Sequence, residues 1–176
     1  MARSEAAPGT MNKPHTTPKR VLELEINGDP VEVLVAPQDT LLSCLREKLH
    51  LTGSKHGCDV GDCGSCTVLL NGTPQLSCIT LALESEGAQI TTVEGLTKHG
   101  APHPVQVAFD EKVAAQCGYC TPGFVVALTA LFDSNPSASA EDVKHCLGSN
   151  ICRCTGYTKI IEAAELARQR IQERQK

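Results

Sequence analysis

The sequence predicts an α+β chain in two parts: strands around one helix, then a compact bundle of four helices. Three observations carry this. Alternating apolar and polar residues with Asn-Gly turns recur up to about Val93, the periodicity becomes helical after Gly95, and eight of the ten cysteines form two sets, one in each part. At 176 residues the chain can hold one medium domain or two small ones. The division that follows is a flexible leader over 1–19, a strand-rich domain over 20–95 and a helical domain over 96–176.

The elements follow in order. Val21-Leu-Glu-Leu-Glu-Ile26 alternates apolar and polar residues, Asn27-Gly28-Asp29-Pro30 turns the chain, and Val31-Glu-Val-Leu-Val35 returns as the second arm of a hairpin. Asp39 or Thr40 caps a helix to about Leu49, with Leu41, Leu42, Leu45 and Leu49 on one stripe. Gly53 to Cys66, rich in Gly, Cys and Asp, reads as a loop. Thr67 to Leu70, Asn71-Gly72 and Gln75 to Thr80 form a second hairpin, and Gln89 to Val93 a last strand. Beyond Gly95 the first helix spans Pro104 to Ala115. Pro122 opens a second running to about Phe132. Ser139 and Asp142 form a capping-box-like pair for a third, stopped by Gly148. Thr158 to about Arg174 is the fourth, with Ile160, Ile161, Ala164, Ala167 and Ile171 on one face.

Composition narrows the classes of function. Aromatic residues are 3% of the chain and Trp is absent, so bound metal would supply cross-links that a small core lacks. A secreted disulfide protein is the other reading of ten cysteines. The first twenty residues are polar, contain Pro8, Pro14 and Pro18, and include no apolar signal stretch. The chain therefore reads as cytoplasmic with reduced thiols. No apolar run is long enough to span a membrane. The net charge of −4 and the lack of a basic block give no indication of a nucleic-acid partner.

The first cysteine set, Cys58, Cys63, Cys66 and Cys78, has the C-x4-C-x2-C spacing of plant-type ferredoxins. The second, Cys117, Cys120, Cys152 and Cys154, pairs C-x2-C with C-x-C. Four thiolates are what one [2Fe–2S] cluster needs, so the two sets predict two redox centres. Three cysteines within nine residues require an irregular loop, and Gly57, Gly61 and Gly64 permit positive φ and close backbone approach. In the second set the cysteines lie between helices, where loops at one end of a bundle bring them together. The N-terminus of the helix near Pro122 places its positive end there.

Other readings of the cysteines fit less well. Structural zinc uses paired C-x2-C knuckles, which C-x4-C-x2-C and C-x-C do not resemble. A Rieske centre needs two histidine ligands, and no C-x2-H occurs. Thioredoxin-like chemistry at Cys117 and Cys120 leaves Cys152 and Cys154 unexplained. Cys44 and Cys146 read as buried structural residues. Asp59 and Asp62 read as solvated loop acids and the six histidines as solvated or capping. No catalytic triad, carboxylate pair, G-x-G-x-x-G or P-loop is present, so the chain carries electrons while bonds are made and broken elsewhere. A free-standing ferredoxin-like carrier and a zinc-stabilised adaptor are the rival functions.

The flanking residues add a resemblance. Gly53-Ser-Lys-His-Gly-Cys-Asp-Val-Gly-Asp-Cys-Gly-Ser-Cys-Thr-Val-Leu-Leu-Asn-Gly72 resembles the N-terminal cluster motif of the xanthine oxidase family of molybdenum hydroxylases. Gln116-Cys-Gly-Tyr-Cys-Thr-Pro-Gly-Phe124 and Asn150-Ile-Cys-Arg-Cys-Thr-Gly-Tyr157 resemble its second motif. The resemblance covers roughly residues 20–170 and is to the separate iron–sulfur subunit of bacterial three-subunit enzymes. Quinoline and isoquinoline oxidoreductases, nicotine-type dehydrogenases, carbon monoxide dehydrogenase and 4-hydroxybenzoyl-CoA reductase are such enzymes. It implies a plant-type ferredoxin-like β-grasp domain followed by an all-α four-helix domain. It also implies a large subunit holding molybdopterin, as its cytosine dinucleotide, a medium subunit holding FAD, and a dimer of heterotrimers. Gln116 matches the glutamine that contacts the pterin cofactor, Cys154 the ligand on the pterin-facing side, and Gly57 to Gly64 the flavin-facing segment. The chain departs from the pattern at His56, Cys44, Cys146 and the long leader, none of which touches the eight expected ligands.

Overall fold

The computed structural model describes residues 18–98 and 100–174. The expected leader over 1–19 lies, but for Pro18 and Lys19, outside the described residues.

Two hairpins and a short strand build one mixed sheet in the order β2-β1-β5-β3-β4. β1 (Arg20–Ile26) and β2 (Asp29–Val35) turn at Asn27 and Gly28, both at positive φ, which matches the right-handed twist of the strands. β3 (Thr67–Leu70) and β4 (Thr73–Leu76) use Asn71 and Gly72 in the same way. β5 (Gln89–Thr91) lies parallel to β1 and antiparallel to β3. The two strands at the sheet margins each contain a proline, Pro30 in β2 and Pro74 in β4, where a missing N–H is tolerated. β4 and β5 are shorter than the sequence predicts, and a 3₁₀ turn, Val93–Leu96, takes over after β5.

The helix of the first part is not a regular one. α1 (Leu41–Ser43) is capped by the Thr40 side chain and then widens into a π-helix over Cys44–Lys48. Leu49 N–H reaches Cys44 C=O at 3.2 Å, closing the wide turn. Leu41, Cys44 and Leu45 pack on Leu22, Leu24, Val33, Val35, Val68 and Ile90, so Cys44 is a core residue, as its sequence context predicts.

The helical part comprises α2 (Pro104–Glu111), α3 (Thr121–Ser134), α4 (Ala140–Leu147) and α5 (Thr158–Glu173). α3 is apolar all round because it is the central element: it packs on α2, α4, α5, β3 and β4. α4 has the expected capping box between Ser139 and Asp142. α2 ends at Glu111 instead of Ala115. Val113 sits at φ +51°, and Val113 N–H bonds Asp110 C=O while Ala114 N–H bonds Phe109 C=O, the paired bonds of a Schellman motif. A glycine usually marks such a stop, and here a valine occupies the position. On α5 the buried face is Ile160, Ala163, Ala164 and Ala167, while Ile161, expected inside, is exposed.

The two parts share apolar packing. Val68 points into the cluster under the sheet and Leu69, one residue on, into the helical cluster with Leu96, Phe124 and Leu128. Among the described residues no helix is long and apolar enough to cross a membrane.

Candidate metal centre

The loop from Gly53 to Cys66 is irregular for reasons its residues make explicit. Gly61 and Gly64 stand at φ +82° and +70°, and Asp59 joins them at +60°. At Gly57 a Cβ would lie 2.6 Å from Cys63 Sγ, so only glycine lets that thiol turn inward. The curl aims backbone N–H groups at sulfur. Those of Val60 and Cys63, the latter at 3.4 Å, face Cys58 Sγ and bring its pKa down to about 7. Cys66 and Cys78 lie together on Leu42 and Leu76, and burial with the neighbouring Cys66 thiol pushes Cys78 up to about 11.

The second set gathers between α2 and α3 and between α4 and α5. Cys117 and Cys154 are exposed, with their sulfurs 3.5 Å apart. The Tyr119 N–H and the Cys154 thiol lower the pKa of Cys117, whose nearness raises that of Cys154. Cys120, at the N-cap of α3, and Cys152 are buried against each other. Burial and the Cys152 thiol push Cys120 up to about 12. Burial also opposes ionisation of Cys152, but the Thr155 hydroxyl at 3.1 Å, the Thr155 and Cys154 N–H groups and the Cys120 thiol outweigh it, and its pKa falls to about 7.

The eight thiols thus meet two by two: Cys58 with Cys63, Cys66 with Cys78, Cys117 with Cys154, and Cys120 with Cys152. Among the described residues no three His, Cys, Asp or Glu side chains converge as a single ion requires. Thiols that meet in pairs within each set suit a binuclear cluster, and N–H groups directed at sulfur suit its negative charge. Cys146 stands apart, its thiol pushed up to about 11 by burial alone. Gln116 is exposed beside Cys117. His56 pairs with Asp59 at the surface.

The two loops touch. Ile151 N–H donates to Cys63 C=O at 3.0 Å, and the Tyr119 hydroxyl donates to His56 C=O at 2.6 Å. The Tyr157 hydroxyl accepts from Cys152 N–H at 2.9 Å and donates to Asn150 C=O at 3.4 Å, while its ring stands edge-on to Phe124. Sequence reasoning singled out neither Asn150 nor Tyr157 for a site role. The only signal was their place within the run that holds Cys152 and Cys154.

Known proteins resemble this chain over both of its parts. Residues 24–96 match a family profile described as "2Fe-2S iron-sulfur cluster binding domain", and residues 92–165 match "[2Fe-2S] binding domain". The nicotinate dehydrogenase small FeS subunit of Eubacterium barkeri is 41% identical, over 86% of this chain and 97% of its own. The nicotine 6-hydroxylase small subunit of Paenarthrobacter nicotinovorans is 44% identical, over 87% and 92%. One chain of quinoline 2-oxidoreductase from Pseudomonas putida 86 superposes with a TM-score of 0.82 at 39% identity, covering 88% of this chain and 97% of that one. The chain belongs to the small iron–sulfur subunits of the xanthine oxidase family. As a member of that family it carries two [2Fe–2S] clusters, transfers electrons and is part of a multi-subunit molybdenum hydroxylase. The α+β architecture, ferredoxin-like then helical, is the family's own.

Proposed function

We propose that the chain is an ordered two-step relay. Cys117, Cys120, Cys152 and Cys154 hold the cluster that receives electrons from molybdopterin on a large subunit. Cys58, Cys63, Cys66 and Cys78 hold the cluster that delivers them to FAD on a medium subunit. When bound, each [2Fe–2S] cluster supplies one-electron storage. The observation that carries the assignment is the two-by-two meeting of the thiols. Cys58 with Cys63 and Cys66 with Cys78 would each take one iron of the first cluster. Cys117 with Cys154 and Cys120 with Cys152 would do so in the second.

The chain's own residues account for access and insulation. The exposed pair, Cys117 and Cys154, is the end a partner can approach, with Gln116 beside it to meet the pterin. Cys120 and Cys152 are walled off by Phe124 and Tyr157, which keeps water from the inner side. The leader, the strand-rich domain to residue 95 and the helical domain beyond it form the working division of the chain. The relatives' names favour an aromatic N-heterocycle as the substrate that the large subunit oxidises. The cytosine dinucleotide form of the pterin, a dimer of heterotrimers and a cytoplasmic location complete the reading.

The test is spectroscopic. The reduced complex should show two paramagnetic iron–sulfur signals, and Cys152→Ser should remove one and leave the other. Loss of both signals, or of neither, overturns the two-set partition.

A further inference from the structure

We infer that Asn150 is a positioning residue that sets the spacing between the two cluster loops, and with it the ease of electron passage between them. The side chain is 2% exposed, and its Nδ2 has no hydrogen-bond partner among the described residues. A buried amide donor without an acceptor is a standing cost that an apolar residue of similar size would avoid. Two glycines show what the amide does there. A Cβ at Gly64, in the first loop, would lie 2.3 Å from Asn150 Nδ2. One at Gly123, in the first turn of α3, would lie 2.6 Å from the same atom and 2.4 Å from Gly64 C=O. The flat amide therefore fills a gap between two backbones that only glycines leave open.

The rest of Asn150 is tied to the second loop. Its Oδ1 accepts from the Ser149 hydroxyl at 3.0 Å, its N–H donates to Leu147 C=O at 3.3 Å, and its C=O accepts from Tyr157. The next N–H in the chain, that of Ile151, is the one that reaches Cys63 C=O. Asn150 thus seats the residue that joins Cys152 to Cys63 through one hydrogen bond. One electron leaves the second site, which is oxidised by one unit, and enters the first, which is reduced by one. No proton moves and no bond is made or broken. Passage of this kind weakens steeply as the gap widens, so a wedge that fixes the gap fixes the rate.

The inference rests on the ligand assignment above, and its test separates the two. In the reduced complex, Asn150→Ala should keep both iron–sulfur signals at unchanged g values, showing the ligand sets intact. It should lose the magnetic broadening that each cluster imposes on the other, and rapid mixing should show slower reduction of the flavin-side cluster with no change in entry at the other. Asn150→Ser, a smaller perturbation, should show the same loss in weaker form and stands in if the alanine variant does not assemble. Unaltered broadening and transfer in both variants overturn the positioning role. Disappearance of one signal also overturns it, because Asn150 would then belong to a single cluster's cradle.

Discussion

At the scale of single residues, the site is governed by small groups placed against sulfur. Gly57 is required because Cys63 Sγ occupies the space of a side chain, and Gly64 because Asn150 does. The glycines were legible in the sequence as a loop that curls. The partner of Gly64 was not, since Asn150 lies across a seam between segments far apart in the chain. Cysteine spacing revealed the two sets, because C-x4-C-x2-C followed by Cys78 is a ferredoxin pattern and C-x2-C with C-x-C leaves a second group of four. Spacing says nothing of which thiol meets which, and that needed the fold. Gln116 was legible only through its neighbours in the motif. Gln116→Ala should leave both iron–sulfur signals in place and slow turnover by roughly tenfold or more, as loss of a group just outside a metal's own ligands does. Steady-state rates beside the reduced-state spectra check this; unchanged turnover would sink the pterin-facing role.

At the scale of elements, the hairpin turns were legible because Asn-Gly dictates its own turn, although the return arm of the second lies at Thr73–Leu76 instead of Gln75 to Thr80. The helix ends were less so. The end of α2 is set by a Schellman motif around Val113, a β-branched residue in the left-handed region and 74% exposed. No local signal marks a valine as a stop, so periodicity carried the expected helix four residues too far. Holding a β-branched side chain there costs about 1–3 kcal/mol, and glycine returns part of that through a freer unfolded chain. Val113→Gly should therefore raise stability by about 1 kcal/mol, read from chemical denaturation of the cluster-loaded chain. A variant less stable than the parent would show that the left-handed valine is unstrained. The π-turn after α1 was equally hidden: its Leu stripe looks the same to sequence periodicity as that of a regular helix, and the fifth-residue bond appears only in the folded backbone.

At the scale of the molecule, the sequence suggested two neighbouring domains, and the structure adds apolar packing that crosses between them. Leu69 lies in a strand of the first part but packs with the helices of the second. Leu69→Ala should cost about 2–5 kcal/mol and should weaken the helical part as much as the sheet. Hydrogen exchange followed separately in β3 and α3 checks this; faster exchange confined to the sheet would mean the halves unfold independently. The prolines at the sheet margins have a consequence at this scale too. Pro30 and Pro74 withhold a donor from each outer strand, so an incoming strand from another chain meets an interrupted ladder on either side. Growth of the sheet by addition of a strand from another copy is thereby resisted at both margins.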